Sequence, residues 1–258
     1  MQKAFFRNIV ALFMALAILS RSKEKFKIQK KTLPGLLMRC MFGTAGLIAN
    51  FWAIDHLGLA DSNMLNKMSP FFAMIMSIFI LKEVPDIFEW ITIVIAFIGV
   101  VFIVKPGLGL ASLPALVGLF SGFGAGTAYA FLRKVTSNGE RGTIVVMCFS
   151  LFSTLVTLPF LIFNFVPMTK LQLIFMLLSG VSAMGGQMNI TAAYTYAPAK
   201  EISIYDYSQV VFAALWGVLF FSEIPDILSA MGYVIIIGAG FARWRYSLKY
   251  KDKKVDGN

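Results

Sequence analysis

Two charged residues, Lys67 and Asp206, interrupt long apolar stretches. A charge inside such a stretch is costly and marks a functional position by default. Lys67 stands about seven residues into its stretch, roughly 10 Å deep at ~1.5 Å of helix rise per residue. A buried ammonium suits a substrate carboxylate or phosphate. A buried carboxylate suits an amine or a coupling proton. The plainer alternative is an ion pair between helices, or a lysine reaching out to the interface.

Arg39 is a further cavity candidate, and Arg7 a weaker one, because long basic side chains near a stretch end can snorkel to the surface. Asn50, Asn63, Asn66, Gln187, Asn189, Tyr194, Tyr205, Tyr207 and Gln209 are uncharged hydrogen-bonding groups in the same stretches. Lipid offers them no partner, so some must face the interior, as substrate contacts or as packing glue. Trp52 and Trp216 could stack on a ring or a quaternary amine. From this set we select Lys67, Asp206, Tyr207, Arg39, Asn66, Tyr194, Gln187, Asn50 and Trp52 as candidate substrate-binding residues.

Other positions read as structural. Glu83 and Glu223 close apolar stretches just before a turn, and His56 is a polar turn residue. Gly118, Gly122 and Gly126 recur every fourth residue, which makes a smooth helix face for close packing. Cys40 and Cys148 read as small packing residues rather than a disulfide. An intramembrane serine protease needs a histidine within hydrogen-bond reach of the serine. Ser121 lies in the glycine-rich stretch, but the one histidine, His56, lies at a turn. No His, Glu or Asp cluster of metal-ligating spacing occurs in the sequence. Neither an enzyme nor a cofactor is expected, and no metal site.

The elements that carry these residues follow from composition. Of 258 residues, 58% are hydrophobic, 14% are charged and 25 are Phe. Soluble domains are about 25% charged. A helix crosses a bilayer core of about 30 Å with roughly 20 apolar residues. Nine spans are expected: 4–20, 33–56, 60–82, 87–104, 111–132, 142–163, 170–195, 201–222 and 226–243. The fold class is therefore all-α, a polytopic membrane helical bundle. Lys105-Pro106-Gly107 and Ile224-Pro225-Asp226 read as tight turns, and Ser137-Asn138-Gly139 as a polar loop. The net charge of +10 concentrates in three clusters: Arg21 to Lys31, Arg133 to Arg141, and Arg243 to Lys254. Threading nine spans puts all three on one side. By the positive-inside rule that side, with the C-terminus, is cytoplasmic. The tail's charge serves topology and contact with anionic lipid rather than nucleic acid.

The chain also repeats itself at an offset of 140 residues. Leu81-Lys82-Glu83-Val84-Pro85-Asp86-Ile87 recurs as Phe221-Ser222-Glu223-Ile224-Pro225-Asp226-Ile227. Gly46 then meets Gly186, Ala53 meets Ala193, Phe72 meets Phe212, and Val94-Ile95 meets Val234-Ile235. Lys67 meets Tyr207, beside Asp206. The step from 60–82 to 201–222 is five spans, an odd number, so the copies should cross in opposite directions. Inverted repeats of this kind underlie alternating access in secondary transporters. The span at 111–132 has no partner 140 residues earlier. The expectation is a normal plan of 5+5 spans, here 4+5, with a fragment or a late start preferred over genuine loss of a helix.

With these motifs in hand, the chain resembles the drug/metabolite transporter superfamily, EamA type. The resemblance rests on Ala60-Asp61-Ser62-Asn63, Ser69-Pro70-Phe71-Phe72 and Leu81-Lys82-Glu83 in the first half. In the second it rests on Ala192 to Ala199 and on Gly217 to Glu223. Phe5-Phe6-Arg7-Asn8 is similar to the start of the family's second helix. The resemblance implies an EamA-like repeat at 1–104, a second at 111–243 and a basic cytoplasmic tail at 244–258. It implies a secondary carrier in the cell membrane for a small metabolite such as an amino acid, nucleobase or S-adenosylmethionine. The direction stays open, and a truncated or non-transporting membrane subunit is the alternative. The expected partners are a small-molecule substrate, membrane lipids and a coupling proton, with a homodimer as a further arrangement and no nucleic acid.

Overall fold

A computed structural model describes residues 2–22, 27–57, 59–104, 113–221 and 227–255. Its helices run in the order α1 (Gln2–Arg21), α2 (Leu33–Leu57), α3 (Leu59–Asn66), α4 (Ser69–Leu81), α5 (Ile87–Val104), α6 (Leu113–Ser137), α7 (Gly142–Phe163), α8 (Lys170–Tyr196), α9 (Ala199–Ile202), α10 (Ser208–Phe221) and α11 (Ile227–Val255). A 3-10 turn, Ser203–Tyr207, joins α9 to α10. Among the described residues there is no strand. Helices α1, α2, α6, α7 and α8 are long and apolar enough to cross a membrane.

Two expected spans are not continuous. The stretch 60–82 breaks into α3 and α4 around Lys67 and Met68, and 201–222 breaks into α9, the 3-10 turn and α10. In the first, Pro70 near the start of α4 has no N–H to continue the ladder. The backbone there turns through a tighter bond from the Met68 N–H to the Leu65 carbonyl. The second break contains no proline. Helix α11 continues past the expected span end through Val255. The two proline turns at 105–107 and 224–226, with Glu223, lie outside the described residues. At Ser137-Asn138-Gly139 the polar loop forms, with Gly139 at φ +89°, a backbone conformation that glycine adopts without strain.

Packing pairs particular helices: α2 with α6, α1 with α7, α5 with α11, and α4 with α6. The four-residue glycine stripe explains the last of these. A Cβ at Gly126 would fall 2.5 Å from the Ser69 carbonyl oxygen, and one at Gly122 would fall 2.8 Å from that of Leu65. Only a bare backbone lets α6 approach the α3–α4 break this closely. Ala11, Leu12, Ala15, Ile144, Val146 and Met184 fill the core between α1, α7 and α8. Met74, Ile93, Val100, Ile204, Tyr207 and Ile236 fill another around α4, α5 and α11. Phe13, Phe79, Phe163 and Phe220 point outward, as side chains at a lipid boundary do. Cys40 and Cys148 are free thiols.

Polar residues knit one end of the bundle. Glu140 accepts from the Gln29 N–H (3.0 Å) and the Thr32 hydroxyl (2.6 Å). Arg133 donates to the Thr195 carbonyl at 2.7 Å and meets Glu83 at 3.5 Å, which gives Glu83 its structural role. Buried Glu89 takes Arg243 at 2.6 Å and lies 3.8 Å from Lys200. Asp86 and Glu89 cap each other's backbone N–H at the start of α5, both at 2.8 Å. We call this the basic end, because Arg21, Arg133, Arg141 and Arg243 gather there.

Candidate functional site

Between the basic end and the opposite one lies a cavity of about 300 Å³. Arg7 reaches it from α1. Arg39, Gly43, Gly46, Asn50 and Phe51 reach it from α2. Asn63, Asn66 and Lys67 come from α3 and the break that follows it. Tyr129 comes from α6, Phe149 from α7, Gln187 from α8 and Gln209 from α10. A larger opening of about 680 Å³ adjoins it, lined by the start of α1, the end of α2 and the first half of α8. The two spaces share Arg7 and Phe51. The opening lies at the end opposite the basic one, and we call it the vestibule.

The α3–α4 break places Lys67 where a helix interior would hide it. Its ammonium donates to Gln209 Oε1. Its backbone carbonyl accepts from the Tyr207 hydroxyl at 3.2 Å. A broken helix frees carbonyls, and here the second break caps one freed by the first. Asp206 stands within electrostatic reach of Lys67 and beside Tyr194, but no ion pair joins Lys67 to it among the described residues. Arg39 is 2% exposed. Its guanidinium lies 4.2 Å from the centre of the Phe149 ring and donates to Gln187 at 3.3 Å. Asn66 donates to Ser121 Oγ at 3.0 Å, and that hydroxyl donates to the Gly118 carbonyl. Ser121 is thereby fully engaged in structure.

Of the nine selected residues, the structure brings Lys67, Arg39, Asn50, Asn66 and Gln187 to the cavity wall. Four stand elsewhere. Trp52 stacks on His56 at 3.9 Å, one helical turn on, and does not line the cavity. Tyr207 is fully buried because its hydroxyl is spent on the Lys67 carbonyl. Tyr194 is also fully buried and stacks on Tyr129, with ring centres 5.1 Å apart. Asp206 lies within electrostatic reach of Lys67 but is not among the residues that line the cavity. Tyr129, Phe149 and Phe51 line the cavity without having been singled out. The signal for Tyr129 was its place as the one tyrosine on the small-residue helix α6.

The model of the EamA-like transporter family matches residues 1–105 and 112–242. The chain belongs to that family. A relative in Pseudomonas aeruginosa, the pseudopaline exporter CntI, is 32% identical over 241 residues, which are 92% of this chain and 84% of the relative. Human solute carrier family 35 member G1 is 24% identical over 95% of this chain and 72% of its own. A solved crystal structure at 13% identity superposes with a TM-score of 0.76 over 92% of this chain and 86% of its own, which shows a shared fold. This EamA-like chain is a multi-pass membrane protein, with a transport rather than enzymatic role, a small-molecule substrate and a lipid environment.

Proposed function

We propose that this EamA-like protein is a secondary carrier that moves a small polar metabolite across the cytoplasmic membrane by alternating access. The observation that carries this reading is the cavity itself. It lies beside two broken helices, which is where discontinuous helices of transporters place their substrate sites. Lys67, Arg39, Asn50, Asn66 and Gln187 form the binding surface, joined by Arg7, Tyr129 and Gln209. Asp206, held near Lys67, is the candidate for a coupling proton.

Supporting the repeat, the 140-residue offset sets the break between α3 and α4 at Lys67 against the end of the 3-10 turn at Tyr207. Equivalent helices pack on each other, α1 on α7 and α5 on α11. We assign the basic end, with the end of α11, to the cytoplasm. The Glu89–Arg243 and Arg133–Glu83 contacts then close the cytoplasmic side, while the vestibule opens outward. Because one relative is named an exporter, export is our working direction.

The test is flux of a metabolite panel in liposomes, inward and outward, through the native chain, Lys67→Ala and Asp206→Asn. Lys67→Ala should abolish flux. Asp206→Asn should uncouple flux from a proton gradient. Unchanged flux in both variants would overturn this assignment.

A further inference from the structure

We infer that the carrier's substrate is a small organic dianion, a molecule with two carboxylates or a phosphate monoester. This deepens the carrier reading and rests on it. Three cations, Arg7, Arg39 and Lys67, face one cavity, and no acidic residue lines it among the described residues. Asp206 lies within electrostatic reach of Lys67, and the vestibule that shares Arg7 adds Asp55 and Lys3, whose charges cancel. Arg7 and Arg39 form no ion pair among the described residues, and they lie close enough to repel each other. The buried Nε of Arg39 has no hydrogen-bond partner.

An isolated buried cation costs several kcal/mol unless a counter-charge answers it. With Asp206 ionised, one carboxylate against three cations leaves an excess of two positive charges. A monoanion would leave the interior unbalanced, and a cation would make it worse. A dianion balances it. The free Nε of Arg39 adds geometry to this charge argument. A guanidinium edge with an unused N–H suits a carboxylate or phosphate, which binds it in a fork. The amide of Asn63 and the NH2 groups of Asn50 and Gln187, whose oxygens accept from Ser62 and Arg39, face hydroxyl or carbonyl groups of the substrate, and the Tyr129 and Phe149 rings provide an apolar wall. The volume sits at the small end of the range for ligand sites, about 300–1,000 Å³.

The experiment uses the full chain in detergent with a charge-graded set of probes: butyrate, succinate, 2-oxoglutarate, glycerol 3-phosphate, glucose and putrescine. Thermal stabilisation is read first and flux in liposomes second. The expected result is stabilisation by one or more of succinate, 2-oxoglutarate and glycerol 3-phosphate, and by none of the others. Arg39→Gln should weaken that binding about tenfold or more, and Gly238→Val, on α11, which lends no residue to the cavity and where an added Cβ meets nothing within 4 Å, should leave it unchanged. Stabilisation confined to glucose or putrescine, absence of stabilisation by every dianion, or dianion binding that Arg39→Gln leaves intact would each overturn the inference. Dianion binding without flux would sustain it and overturn the carrier reading instead.

Discussion

The hydroxyl of Tyr207 donates to the backbone carbonyl of Lys67 at 3.2 Å, across 140 residues of chain. That separation is the offset at which the sequence repeats. Two positions that the sequence sets against each other at that offset are thus bonded to each other. The bond also joins the two helix breaks that shape the cavity. Tyr207→Phe should lower stability by about 1 kcal/mol. That lies between the ~0.6 kcal/mol average for interhelical bonds in membranes and the ~1–3 kcal/mol cost of an unsatisfied buried acceptor. Thermal unfolding in detergent checks it.

Close helix approach gives a second prediction. A Cβ at Gly46 would lie 3.0 Å from backbone atoms of both Ser121 and Ala125, whereas one at Gly186 would meet nothing within 4 Å. Gly46→Val should therefore disrupt the contact between α2 and α6 and abolish a monodisperse peak in size-exclusion chromatography. Gly186→Val, its counterpart in the repeat, should leave the peak of this chain in place.

Gly43 makes room for Arg39 and Phe149. An added Cβ would fall 2.2 Å from Arg39 Nη1 and 2.9 Å from Phe149 Cε2. Both are side-chain atoms, so they can shift without unfolding the helix. Gly43→Ala should reduce substrate affinity several-fold while the melting temperature changes by little. Half-saturation in the flux assay, set beside a thermal melt, separates the two effects.

The buried Glu89–Arg243 pair ties α5 to α11. Removing one partner leaves the other charge buried and should cost about 3–5 kcal/mol, whereas removing both should cost less. Glu89→Leu and Arg243→Met should each lower the melting temperature more than the double variant does. A double-mutant cycle in detergent reads the coupling.

Much of the site was legible because a polar group in an apolar stretch is conspicuous. Lys67, Arg39, Asn50, Asn66 and Gln187 all reach the wall for that reason. Aromatic residues were not legible in the same way. A tyrosine can face a cavity or seal the space behind it, and its type does not distinguish Tyr129, which lines the wall, from Tyr194, which stacks behind. Phe149 and Phe51 are two of 25 phenylalanines, and nothing in their neighbours sets them apart. The helix breaks were hidden as well. Pro70 signals the first, but 203–207 contains neither proline nor glycine. Its 3-10 turn depends on packing against α4, α5, α9 and α11, which local sequence does not encode.

The central claim is that the cavity holding Lys67 and Arg39 is the transport site and opens through the vestibule. The most direct measurement places a single cysteine at Asn50, in a background of Cys40→Ala and Cys148→Ala. Membrane-impermeant maleimide is then applied to right-side-out and everted vesicles. The account predicts labelling from the vestibule side, slowed by the dianion that stabilises the protein. Labelling that the dianion leaves unchanged, or labelling from the basic end alone, would contradict it.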